Sequence, residues 1–141
     1  MPPRWRLCSA WSLLYSTVSH GFSLGTLFRC CRHHEGPVLL VVRDDRGATF
    51  GCFATEPFQP HNRHFGTGEC FLWRQEVDGR VIMYGTTGQN DYYLFADQQY
   101  LAAGVGDGRW GLHLDAELLN GSSRPVATFD NEQLSATDPF M

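Results

Sequence analysis

The run Val38-Leu39-Leu40-Val41-Val42 constrains this chain most, because its β-branched side chains are stiff and favour extended backbone. It follows Pro37 and meets Asp44-Asp45-Arg46-Gly47, a turn sequence, after which Ala48 to Thr55 returns with strand character. A hairpin is therefore expected over residues 38–55, and the unbroken apolar run predicts that its first strand is covered on both faces. Short segments of the same kind recur at Trp11–Ser16, Glu69–Arg74, Val81–Tyr84, Tyr92–Phe95, Tyr100–Ala103 and Trp110–Leu114, separated by Gly, Asn and Asp.

One segment has a different period. Between Phe22 and Arg32, Leu24, Leu27, Phe28 and Cys31 recur at spacings of three and four, Ser23 is placed to cap, and Arg29 and Arg32 suit the last turn. One early helix among many strands predicts an α+β domain: two antiparallel sheets packed as a sandwich, flanked by short helices. With 141 residues the chain fits one domain, here 1–141, with 1–10 as a lead-in and 132–141 expected as a loose tail.

Composition excludes several chemistries. All eleven basic residues are Arg, so there is no Schiff-base lysine, phosphate-loop lysine or lysine general base. Residues 1–70 hold seven Arg and five acids and residues 71–141 hold four Arg and ten acids, which argues against a nucleic-acid partner and for one with a basic patch. Five cysteines without a C-x-x-C pair are expected to be reduced. No apolar run is long enough to span a bilayer. The first 34 residues have four Arg and no acid, as a mitochondrial transit peptide does, yet they overlap the first expected strand and helix. The cytosol is the expected location, with mitochondria second.

Several clusters invite a chemical reading. Gly66-Thr67-Gly68-Glu69 places two glycines and a carboxylate ahead of a strand: either a tight structural turn or a site where Glu69 acts as general base or contacts a partner. Gly104-Val105-Gly106-Asp107-Gly108 has the glycines of a nucleotide loop with Arg109 where the third is needed, so a hairpin is expected. Cys30-Cys31-Arg32-His33-His34, His61 and His64 lack finger-like spacing, and no metal or cofactor is predicted. Cys52 and Cys70 fall within strand patterns and are expected to be buried, leaving Cys8 and Cys30 as redox candidates. His20 with Asp44 and Ser16, or His113 with Asp115 and Ser12, could be drawn as triads, but no G-x-S-x-G elbow accompanies them.

Read in order, these blocks resemble the TLDc domain of oxidation-resistance proteins. The resemblance rests on Trp11–Ser16, His20–Leu24, Thr26–Arg29, Gly36–Leu40, Phe50-Gly51, His64–Trp73, Asn90–Tyr93, Gly104–Gly108 and Thr128–Asn131. It implies a two-sheet sandwich, a role in resistance to oxidative damage, and binding to the peripheral sector of the vacuolar proton-pumping ATPase, with no established catalysis. The binding residues it points to are His64, Phe65, Gly66, Thr67, Gly68 and Glu69. It also implies a final strand after Phe129–Glu132, where this sequence runs to Asp138-Pro139-Phe140-Met141 and would leave an open sheet edge. The alternatives are a redox or hydrolytic enzyme using Glu69, His64 or a cysteine, and an adaptor acting on expression of stress genes.

Overall fold

A computed structural model describes residues 12–61, 63–106 and 108–141. Two four-stranded antiparallel sheets form the body. The first has the order β1 (Val38–Arg43), β2 (Thr49–Ala54), β3 (Phe71–Gln75), β4 (Val81–Gly85); the second has β5 (Leu94–Ala96), β6 (Tyr100–Gly106), β7 (Arg109–Asp115), β8 (Gly121–Ser122). Each strand pairs with its neighbour in sequence, so both sheets are simple meanders.

The core lies between the sheets because alternate side chains of each point at the other. Phe50, Cys52, Ala54 and Leu72 face Leu94, Leu101, Ala103 and Leu112 in one continuous buried cluster. The contact is close: a β-carbon on Gly111 would fall 2.8 Å from Leu72 Cδ1 across the interface. Helix α2 (Leu24–Cys31) closes the core with Leu24, Leu27, Phe28 and Cys31, and the Ser23 hydroxyl accepts the Thr26 N–H, as its periodicity predicts. A short helix, α1 (Thr17–His20), precedes it, capped by Ser16.

Four expectations are corrected. Residues 12–16 form no strand, and Trp11 lies outside the described residues; the Tyr15 hydroxyl instead bonds Gly21 O and accepts the Ser23 N–H, folding this segment back toward α2. Strand β1 is covered on one face only: Leu39 and Val41 are exposed while Val38, Leu40 and Val42 are half-buried, and β1 is also an edge of its sheet. Strands β3 and β5 begin two residues late, since Cys70 N–H is spent on Thr67 O and Tyr92 N–H on Asn90 Oδ1, both turn contacts. Finally, residues 132–141 are not loose. Leu134 and Phe140 are buried, Phe140 exchanges both backbone hydrogen bonds with Gly121 at 2.9 Å, and its ring meets Phe50 edge-on at 5.0 Å.

Polar side chains fix that segment across both sheets. Arg74 donates to Gln133 O at 3.1 Å and pairs with Glu76 at 2.7 Å, and Asp44 Oδ2 accepts the Ala136 N–H at 3.0 Å. Asp138 accepts from the Ser122 hydroxyl at 2.6 Å, from the Ser123 N–H at 3.1 Å and from Arg124.

Candidate protein-binding surface

The Glu56–Gly68 loop leaves the first sheet and touches the second before returning to it. Phe65 N–H donates to Leu94 O and Leu94 N–H to Phe65 O, a bridge onto β5. Gly66 then reverses the chain at φ +89°, and a β-carbon there would lie 2.8 Å from Leu94 Cδ1, so this position needs glycine on both counts. The freed backbone groups find partners nearby: Glu56 Oε2 accepts the Gly66 N–H at 3.1 Å, Thr55 Oγ1 accepts the Thr67 N–H at 3.0 Å, and the Thr86 hydroxyl donates to Gly68 O at 2.9 Å. The carboxylate that holds the turn is thus Glu56. Glu69 is half-buried, and its own N–H donates to Thr67 Oγ1 at 3.3 Å. Thr67 and Gly68 are exposed.

His64 carries the motif outward. Its ring lies 4.7 Å from that of Tyr92 and 5.3 Å from that of Phe95, tilted against both, and its buried Nδ1 has no hydrogen-bond partner among the described residues. From Phe95 the contacts continue to Tyr100 at 5.3 Å, from Tyr100 to His113 at 5.0 Å, and from His113 to Trp110 at 4.6 Å. These rings occupy the outer face of the second sheet, alternating with Leu94, Ala96, Leu101 and Leu114, which face the core. The β6–β7 register runs on unchanged past Gly104, which has φ +79°, and the Trp110 and His113 rings meet although three residues separate them along β7. Phe95, Tyr100, Trp110 and His113 are each half-buried and Tyr92 is exposed, so the row is a platform open to solvent.

Carboxylates border it. Burial raises the Tyr100 phenol, and Asp97 adds to the rise; burial lowers the His113 imidazole against the opposing pull of Asp115. A row of rings rimmed by acids suits a partner with apolar and cationic side chains. Alternation alone does not disclose this row, because Trp110 and His113 differ by an odd number, yet their rings meet at 4.6 Å.

The remaining candidates disperse. Cys8 and Asp107 lie outside the described residues. Cys30 is half-exposed and Cys31 buried, on different sides of α2. Cys52 and Cys70 are buried. Burial pushes the Cys31 and Cys52 thiols up, with Cys30 and Cys70 respectively adding to the effect, which keeps both protonated. His20 Nδ1 accepts the Ser16 N–H, while Asp44 Oδ1 holds the Arg46 and Ala48 amides of the hairpin turn. Asp115 Oδ1 accepts from Leu119 and Asn120, so neither drawn triad is assembled. Among the described residues no group of three His, Cys, Asp or Glu is placed to hold a metal ion. In the glycine-rich segment Gly106 pairs with Arg109, where β6 and β7 run antiparallel.

The motif blocks outside the loop serve the fold. Thr128 Oγ1 accepts the Val105 N–H at 3.1 Å and donates to Asn90 Oδ1 at 2.8 Å, while Asn131 accepts from Val126 N–H and donates to Arg124 O and Glu132 O. The model of the TLDc domain matches residues 1–141. The chain belongs to the TLDc family. Oxidation resistance protein 1 of Eremothecium gossypii is 39% identical over 148 residues, covering 99% of this chain and 62% of that protein. Nuclear receptor coactivator 7 of Gallus gallus is 41% identical over 131 residues, covering 93% of this chain and 14% of its own length. Oxidation resistance protein 1 of Xenopus tropicalis is 40% identical over 141 residues, all of this chain and 16% of the relative. The chain therefore corresponds to the TLDc portion of proteins that extend well beyond it. Among the described residues no helix is long and apolar enough to cross a membrane.

Proposed function

We propose that this TLDc domain is a protein-binding module that contributes to protection against oxidative stress, and that its partner is the peripheral sector of the vacuolar proton-pumping ATPase. The observation that carries the binding reading is the aromatic platform of Tyr92, Phe95, Tyr100, Trp110 and His113, joined through His64 to the Gly66–Glu69 turn. Rings held in register by a sheet lose little conformational freedom on docking, which is why Trp and Tyr dominate binding energy at interfaces. Glu56, Thr55 and Thr67 give side-chain oxygens to the backbone of the turn, which supports a scaffold reading of the motif. The oxidative-stress role is supported by the relatives named for oxidation resistance.

The pump assignment follows from the family resemblance and from the acidic rim. Purified protein should co-sediment with the isolated peripheral sector and change its ATPase rate. Absence of both at micromolar concentrations overturns the pump as partner.

A further inference from the structure

Four arginines lie among the ten acids of residues 71–141, and the fold disposes of them unequally. Arg74 pairs with Glu76 and Glu132, and Arg80 pairs with Asp78. The other two, Arg109 and Arg124, line one cleft of about 390 Å3 together with Trp110, Ser122, Asp138 and Pro139. The Arg124 N–H donates to Trp110 O at 3.0 Å, which ties the two walls together.

Charge in this cleft does not cancel. Asp138 accepts from the Ser122 hydroxyl, the Ser123 N–H and Arg124 Nε, and its side chain is only 8% exposed. One guanidinium is thereby matched by one carboxylate. Arg109 is exposed and among the described residues forms no ion pair, so a positive charge is left over. Arg124 meets Asp138 through Nε, and its side chain is still 44% exposed, so its terminal N–H groups can serve a second acid.

An exposed arginine is ordinarily a solvated one, and what distinguishes this pair is its place at the end of the ring row. Trp110 belongs to the cleft and to the row alike, and Ser122 is the cross-strand neighbour of His113. The opposite end is acidic: Asp115 is the cross-strand neighbour of Tyr100, and Asp97 Oδ1 accepts the Tyr100 N–H at 3.0 Å. From Asp115 to Arg109 along β7 is ~20 Å at ~3.3 Å per residue. The face is thus acidic at one end, basic at the other and aromatic between. Beyond Pro139 the chain leaves the cleft: Phe140 packs on Phe50, and Met141 O accepts the Asp45 N–H at 2.8 Å.

We infer that the Arg109–Arg124 cleft takes a side-chain carboxylate of the partner segment that lies on the aromatic platform. The inference rests on the platform as the binding face and not on the pump as partner. A single surplus positive charge matches a monoanion, and the two oxygens of a carboxylate meet the fork of N–H groups on a guanidinium. Trp110 offers an apolar wall to the methylene groups of the acid. Asp97 and Asp115 repel the same carboxylate at the other end, so the segment lies one way round.

The test uses the whole chain and a fluorescent, carboxyl-amidated peptide, Arg-Ser-Leu-Ser-Leu-Ser-Glu, with a second version ending in Gln. Anisotropy titrations compare the parent with Arg109→Gln, Arg109→Lys and Tyr100→Ala, each first confirmed as folded. The Glu peptide should bind about threefold or more tighter than the Gln peptide. That preference should vanish in Arg109→Gln, survive in part in Arg109→Lys, and shrink at ~1 M salt. Tyr100→Ala, which alters the platform outside the cleft, should weaken both peptides alike and leave the preference intact. No binding at millimolar peptide overturns the inference, as does a preference untouched by Arg109→Gln. Equal binding of the two peptides that still weakens in Tyr100→Ala overturns the carboxylate site and supports the platform. A Glu preference that needs Arg109, with binding indifferent to Tyr100→Ala, supports the carboxylate site and counts against the platform. Sedimentation of the protein alone that changes in Arg109→Gln means that a second copy fills the cleft, which contradicts capture of a partner.

Discussion

Phe65 and Leu94 exchange backbone hydrogen bonds in both directions, at 2.9 and 3.2 Å, and so tie the loop that feeds the first sheet to the edge of the second. Gly66 sits immediately beside that bridge. Gly66→Ala should destabilise the fold by roughly 2 kcal/mol, because alanine is strained at positive φ and its methyl group would press on Leu94 and Cys70. Gly68 has ordinary φ and 3.6 Å of room to Thr86 Oγ1, so Gly68→Ala should be close to neutral. Thermal melts of the two variants separate a structural turn from a pair of glycines that only make space for a ligand; equal effects would contradict this account.

Asp138 anchors the segment after β8. Burial raises its carboxyl, but the Ser122 hydroxyl, the Arg124 guanidinium and the Ser123 amide outweigh that and hold it below the usual carboxylate range. A lowered acid binds its proton less readily folded than unfolded, so its contribution is complete above about pH 4 and fades as pH falls further. Asp138→Asn should cost roughly 1–3 kcal/mol at pH 7, and its difference from the parent should shrink toward pH 3. Denaturant titrations at the two pH values measure both.

His113 works in the same direction through a different group. Burial lowers its imidazole, so the folded state prefers the neutral ring and the unfolded chain protonates first. Stability from this residue is full above about pH 6.5 and declines as pH drops below it. His113→Phe should keep the ring contacts and flatten the fall in melting temperature between about pH 6.5 and 5.

Thiol reactivity should rank by burial. Of the four cysteines among the described residues, Cys30 should be alkylated first in the native protein and Cys52 last, as mass spectrometry of a timed iodoacetamide reaction would report. Replacing all five cysteines by alanine should leave oxidative protection in cells intact if the domain acts by binding. Loss of protection by a folded variant would favour a redox role.

What the sequence disclosed was local. Helix α2 was legible because Ser23 and the 24, 27, 28, 31 spacing are contained in one stretch of chain, and the β1–β2 hairpin because its turn chemistry lies between its strands. Asp44 marks the limit: its role in the turn could be anticipated, but its bond to Ala136, 92 residues away, could not. The same holds for the burial of Leu134 and Phe140, which depends on β8 and Phe50 coming together, and for the edge position of β1, which an apolar run cannot distinguish from a central strand. The aromatic platform is not legible from alternation, because Trp110 and His113 lie three residues apart in one strand and His64 reaches the row from a distant loop. The Gly66–Glu69 motif was legible as a turn, while its partner Glu56 was not.

The central claim is that the aromatic face of the second sheet binds another protein. Its most direct test is a binding isotherm of the purified domain with the isolated peripheral sector of the pump, comparing the parent with Trp110→Ala and Glu69→Gln, each first confirmed as folded. The account predicts saturable binding at micromolar or tighter affinity, weakened about tenfold or more by Trp110→Ala and little changed by Glu69→Gln. Binding that ignores Trp110, or peroxide turnover that vanishes with Glu69→Gln, would contradict it.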